Sequence, residues 1–170
     1  MSSFVSEFQK SLDKSGIDYR ILENVKDFRD KNDLLEVSGF SGKTFSIEKT
    51  SIGNIPEVRS EIGVYFEKLI TDVLKLKEDS FDLRISKDYV GEGIFNRLKE
   101  ECRWKSWFML SSKYLNRSFQ GYIFLTISKE NLYFVVFDGE DLKRFVSRKK
   151  IASNDRYHFY FGEANSWKLF

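Results

Sequence analysis

The clearest hydrophobic pattern in the chain runs from Gly121 to Phe137. Gly-Tyr-Ile-Phe-Leu-Thr-Ile-Ser is followed by Lys-Glu-Asn and then by Leu-Tyr-Phe-Val-Val-Phe. Two β-rich runs joined by three polar residues predict a hairpin. Runs without polar alternation belong to strands covered on both faces. The hairpin is therefore expected at the centre of a sheet with helices packed on it.

The rest of the chain predicts shorter elements. Residues 3–15 read as an amphipathic helix, because Phe4, Phe8 and Leu12 recur every four residues and Gly16 sits where a helix stops. Strands are expected at Tyr19–Val25, Leu34–Phe40 and Thr44–Thr50, separated by the charged Lys26–Asp33 stretch and by Gly42. Pro56 opens the strongest helix, with Val58, Ile62, Tyr65, Phe66, Leu69, Val73 and Leu76 as one apolar stripe. Phe81–Ser86 alternates as a strand does. Gly91–Cys102 reads as a second helix, Trp104–Leu110 as extended, Glu140–Lys150 as a basic amphipathic helix and Tyr157–Phe161 as a last strand. Helices and strands alternate while hairpins persist, so the expected class is α/β, or α+β, with a mixed sheet. A single domain over 1–170 is expected. The alternative division leaves residues 1–55 as an N-terminal appendage of one helix and strands.

Composition narrows the chemistry. A chain of 170 residues can bury a sizeable core. No apolar run approaches the roughly 18–20 residues that span a bilayer, and the N-terminus lacks a basic region followed by an apolar stretch. Cys102 is the lone cysteine, which excludes an intrachain disulfide and fits a reducing cytoplasm. With His158 as the lone histidine, a zinc site of cysteines and histidines does not fit one chain. Any metal would need carboxylate ligands, hence Mg²⁺, Mn²⁺ or Ca²⁺.

The net charge is only +2 but is unevenly spread. Residues 1–100 carry 16 Lys/Arg against 19 Asp/Glu, whereas residues 101–150 carry 10 against 5. The basic stretch Arg103-Trp104-Lys105-Ser106-Trp107-Phe108 mixes cations with aromatics, as contact with an unstacked base requires. On a strand, Arg103, Lys105 and Trp107 share one face. Lys143, Arg144, Arg148, Lys149 and Lys150 place five cations within eight residues, which suits phosphate contacts and equally the negative end of a helix. Glu48 and Lys49, with Asp33 and Glu36 on the preceding strand, form a weaker metal candidate, since neighbours on a strand face opposite ways. Glu57, Glu61 and Lys68 on the long helix, with Asp82 and Lys87 beyond, form another. Each of these sets also reads as ordinary solvated charge. His158 lies within an alternating strand and reads as a half-buried sheet residue.

Trp107-Phe108-Met109-Leu110, Gly121-Tyr122-Ile123-Phe124, Leu132-Tyr133-Phe134-Val135-Val136-Phe137, Gly139-Glu140-Asp141-Leu142 and Tyr157-His158-Phe159-Tyr160 together resemble the second half of restriction-endonuclease-like (PD-(D/E)XK) proteins. The resemblance covers about a third of the chain and is one of pattern. It implies a mixed sheet flanked by helices and, often, divalent-metal DNA cleavage. The family's acid on one strand followed by acid-x-Lys on the next is not found here. Asp82 stands loosely for the first acid, Lys87 for the lysine and Glu61 for a helix acid, with Mg²⁺ as the implied cofactor.

Two functional expectations follow. One is a nucleic-acid-binding module, with DNA as the expected polymer, from DNA processing or defence, with or without nuclease activity. Arg103, Lys105, Trp107, Lys143, Arg144, Arg148 and Lys149 would then hold the polymer. The other is a protein-interaction domain, an assembly subunit or inhibitor, whose apolar end Trp167–Phe170 docks on a partner.

Overall fold

The computed structural model describes residues 3–22, 25–26, 42–87, 105–111, 119–127, 130–141 and 156–163. Its elements in chain order are α1 (Phe4–Ser15), β1 (Arg20–Ile21), β2 (Val25–Lys26), β3 (Lys43–Glu48), α2 (Arg59–Lys68), β4 (Phe81–Lys87), β5 (Lys105–Ser111), β6 (Gly121–Ile127), β7 (Asn131–Asp138) and β8 (Arg156–Glu163). The expected hairpin is β6 and β7, and it occupies the middle of a five-stranded sheet of order β1-β3-β7-β6-β4. The sheet is mixed, as expected, and consistent with the α/β class: β4 runs parallel to β6 and the other pairs are antiparallel.

The absence of polar alternation in the hairpin has its expected cause. Ile123, Leu125 and Ile127 pair with Val136, Phe134 and Leu132 on one face. Tyr122, Phe124 and Thr126 pair with Phe137, Val135 and Tyr133 on the other. All twelve are buried. The first face meets both described helices. Phe4, Val5, Phe8 and Leu12 of α1 join Ile62 and Phe66 of α2 and Phe45 and Ile47 of β3 in one apolar cluster with it. Phe134 sits at the centre of this cluster, its ring 5.8 Å from Phe8 and 6.3 Å from Phe66. The expectation of helices flanking the sheet is thus met, among the described residues, on one face.

Helix α1 is closed at both ends by local chemistry. The Ser3 hydroxyl accepts the Ser6 amide at 3.1 Å. Gly16 takes φ 71°, where an L side chain would be strained, and its amide and that of Ile17 return to the carbonyls of Asp13 and Leu12. The Val5 amide donates to the Asp138 carboxylate at 3.0 Å, which ties the first turn of α1 to the end of β7. At the other end, the Ser15 hydroxyl donates to the Val73 carbonyl at 3.0 Å.

Helix α2 departs from the sequence reading in two ways. It begins at Arg59, with Pro56 and Glu57 ahead of it and Val58 as the residue before the first turn. A proline's fixed φ suits extended approach as well as a first helical turn, so it does not mark the start uniquely. After Lys68 the helix widens into a π turn over Leu69–Val73, and the Leu74 amide bonds back to Leu69. The wider turn accommodates an extra residue and shifts the stripe by one position. Ile70 and Leu74 are buried in place of Val73, which is 46% exposed, and Val58 is 56% exposed.

The expected strand Tyr19–Val25 is divided between sheets. Arg20–Ile21 pairs with β3, whereas Val25–Lys26 pairs with β8. The expected strand Thr44–Thr50 forms as Lys43–Glu48 and ends in a 3₁₀ turn, Lys49–Ser51. Strand β8 belongs to a second, three-stranded antiparallel sheet of order β2-β8-β5, which a linear reading did not separate from the first. The expected elements Leu34–Phe40 and Gly91–Cys102 lie outside the described residues, as does Glu140–Lys150 beyond a short helical start at 139–141. Among the described residues, no helix is long and apolar enough to cross a membrane.

A polar network fastens the loop after α1. The Tyr19 hydroxyl donates to Asp13 at 2.7 Å and accepts from Gln9 at 3.2 Å, while the Lys43 ammonium donates to Gln9 at 3.0 Å. Ionising the phenol removes the proton that Asp13 accepts. That bond, with a smaller effect of burial, raises the Tyr19 pKa above its ordinary 10.0. A raised folded value means that the bond supports the fold fully below the unfolded value and is lost as pH climbs through the folded one. Asp13→Ala is expected to bring Tyr19 titration back toward 10.0, read from ring-carbon shifts. An unchanged titration would contradict the assignment.

Candidate nucleic-acid interface

The second sheet brings together several basic and aromatic residues of the later chain, Lys105, Trp107, Arg156 and Tyr160 among them. β5 pairs with β8 from Lys105↔Gly162 to Ser111↔Arg156, and β2 pairs with the other side of β8 at Val25↔Glu163 and Lys26↔Gly162. Paired residues in an antiparallel ladder share a face, and positions two apart along a strand share it too. One face therefore holds the row Lys26–Gly162–Lys105, then Tyr160–Trp107, then His158–Met109, then Arg156–Ser111. The opposite face holds Val25–Glu163, Phe161–Ser106, Phe159–Phe108 and Tyr157–Leu110.

The two faces differ in chemistry. The second is apolar apart from Ser106, Glu163 and the phenol of Tyr157. The first collects three cations, an indole, a phenol and an imidazole. Antiparallel sheets commonly set one face on a core and the other against water. The strand predicted at Trp104–Leu110 is thus present as β5, and Lys105 and Trp107 occupy one face as alternation required. Among the described residues, β5 is also an edge strand. Arg103 lies outside the described residues, as do Lys143, Arg144, Arg148 and Lys149.

The residues weighed for catalysis are placed differently. Asp82, on β4, is 7% exposed and pairs in register with Tyr122, on the sheet face turned away from α1 and α2. Arg84 Nε donates to its carboxylate at 3.2 Å. Glu61 is exposed in the first turn of α2, on the helix side of the sheet. Lys87 ends β4 opposite Ile127, an odd number of positions from Asp82, so the two occupy opposite faces of the strand. Hence Glu61, Asp82 and Lys87 are not brought together. Glu48 is exposed at the end of β3, and Lys49 opens the following turn, its amide donating to the Glu130 carbonyl at 3.0 Å. Asp33 and Glu36 lie outside the described residues. Among the described residues, no three His, Cys, Asp or Glu side chains form a group that could hold a metal ion. The Mg²⁺ implied by the resemblance to restriction-endonuclease-like proteins therefore finds no shared ligand set among the described residues.

The face carrying Asp82 has an unusual polar content for a buried surface. Ser46, Tyr133, Thr126 and Ser86 fall in one row across four adjacent strands. The hydroxyls of Thr44 and Thr126 are buried without a hydrogen-bond partner among the described residues. They fall in different rows and on strands separated by β7, so they do not define one binding point.

Linear reading missed Lys26, Arg156, Tyr160 and Gly162 as members of the basic face, and it took His158 as structural. The signal lay in Arg156-Tyr157-His158-Phe159-Tyr160-Phe161-Gly162, where polar or amphipathic residues alternate with purely aromatic ones. Which of those positions joins Lys105 and Trp107 depends on pairing register, which local sequence does not set. No protein-family model, curated protein or solved structure matches this chain.

Proposed function

We propose that this chain is a nucleic-acid-binding module that presents the Lys105–Trp107 face of the second sheet to a phosphate-bearing polymer. The supporting observation is the register of β2, β8 and β5, which gathers Lys26, Lys105, Arg156, Trp107, Tyr160 and His158 on one face. Cations supply sequence-blind attraction to phosphates, and aromatic rings supply surfaces for bases. The resemblance to restriction-endonuclease-like proteins favours DNA as the polymer and DNA processing or defence as the setting. A single cysteine, Cys102, fits work in the cytoplasm. The proposal stops at binding. Metal-assisted cleavage needs converging acids, and Glu61 and Asp82 sit on opposite sides of the first sheet.

Fluorescence anisotropy with a labelled DNA oligonucleotide tests this reading. With three phosphates neutralised, affinity for a single strand is expected to fall roughly 20-fold between 50 and 200 mM salt. Lys105→Glu combined with Arg156→Glu is expected to lower affinity at low salt at least about tenfold and to flatten the salt dependence. Salt-independent binding, or full affinity in the double variant, would overturn the proposal. If no nucleic acid binds, the protein-interaction reading takes its place.

A further inference from the structure

The order of rows along the basic face bears on which polymer it takes. Lys26 and Lys105 flank Gly162 in a single row. A glycine inside a strand gives up packing and leaves the backbone open to close approach. Two lysines in register with an open stretch of backbone suit a phosphate group. The next row places Trp107 directly opposite Tyr160, and the row after it contains His158. Arg156 lies at the far end, six positions from Gly162, or about 20 Å along the strand. The face therefore reads, in sequence, as cation pair, aromatic pair, imidazole and cation.

We infer that the occupant of this face is an unpaired nucleic-acid strand, with a phosphate in the Lys26–Gly162–Lys105 row and bases on the Tyr160–Trp107 row. The inference rests on the nucleic-acid reading above and narrows it. In a duplex the base faces are already stacked on each other, so only the cations have partners. In a single strand each base offers a free π face, and stacking is tolerant of base identity. A surface for duplex phosphates needs no aromatic pair between its cations. An unpaired strand engages all of these rows together, because its phosphates and bases alternate along its length.

The test compares a labelled oligothymidylate with a duplex of the same length, using the full chain. Single-strand affinity is expected to exceed duplex affinity about tenfold, as one or two stacked bases would give. Trp107→Ala is expected to remove most of that preference, lowering single-strand affinity far more than duplex affinity. Since Trp107→Ala could disturb folding, Trp107→Phe provides a second arm. Oligothymidylate is expected to quench the tryptophan emission of the wild-type chain and to quench far less in Trp107→Phe, whose affinity stays within a few-fold. Equal affinity for the two polymers, or a duplex preference, overturns the inference while leaving nucleic-acid binding intact. Unchanged quenching in Trp107→Phe overturns it as well. Failure to bind either polymer overturns both readings.

Discussion

Phe134→Ala is expected to lower the unfolding free energy by about 3–5 kcal/mol. Phe134 is 1% exposed and lies on β7, the third strand of five. It pairs in register with Phe45 on one side and Leu125 on the other. Its ring also meets Phe8 of α1 and Phe66 of α2, at 5.8 and 6.3 Å. Truncation therefore removes contacts to two helices and two strands at once. Strands fixed by hydrogen bonds on both sides cannot close the resulting cavity cheaply, so the cost should fall at the upper end for such changes. Val64→Ala is the internal control, because Val64 is 53% exposed on α2. Its effect should stay within about 0.5 kcal/mol. Urea unfolding of both variants gives the comparison. A loss below about 1 kcal/mol for Phe134→Ala would show that this cluster is not the core.

The second large effect is expected at Gly121, where β6 begins. A methyl group there would overlap the ring of Phe4, which occupies the space beside the bare backbone. Phe4 is itself 4% exposed, in the first turn of α1. Gly121→Ala must displace that ring and is expected to cost about 1–3 kcal/mol, despite alanine's lower backbone entropy. The mechanism predicts a coupling. In a Phe4→Leu background, the penalty of Gly121→Ala should shrink by about 1 kcal/mol or more, since the smaller side chain frees the space. Identical penalties in both backgrounds would rule out the ring contact as the cause. The contact also explains how α1 is positioned lengthwise: Phe4 over Gly121 and the Val5 amide on Asp138 hold its first turn at one end of the hairpin.

These two sites also show how far local pattern reaches. The hairpin was legible because Gly121–Ile127 and Leu132–Phe137 contain nothing polar enough to mark a wet face, and only a strand buried on both sides tolerates that. Helix α1 was legible because Phe4, Phe8 and Leu12 repeat at helical spacing and Gly16 stands at its end, while its Ser3 cap was not singled out. The inward face of α2 was partly misread, since the reading assumed uniform helical spacing. The π turn at Leu69–Val73 changes the phase and exchanges Val73 for Ile70 and Leu74. The second sheet was not legible as a separate unit. Its strands come from near the start, the middle and near the end of the chain, and no local signal announces such partners.

The candidate site divides in the same way. Lys105 and Trp107 were placed on one face by strand alternation alone, and the ladder of β5 keeps them there. Tyr160, His158, Arg156 and Lys26 joined them only through register with β8 and β2. The grouping of Glu61, Asp82 and Lys87 came from spacing along the chain. It took no account of the sheet between α2 and the Asp82 face, nor of the odd separation along β4.

The central claim is that the basic, aromatic side of the β2-β8-β5 ladder is the surface that meets nucleic acid. Amide chemical shifts of the isotope-labelled chain, followed while oligothymidylate is added, test it most directly. Shifts concentrated in Lys105–Ser111 and Arg156–Glu163, with α1 and β1 unmoved, are the predicted result. Shifts concentrated elsewhere at saturation, with those two strands unchanged, would contradict it.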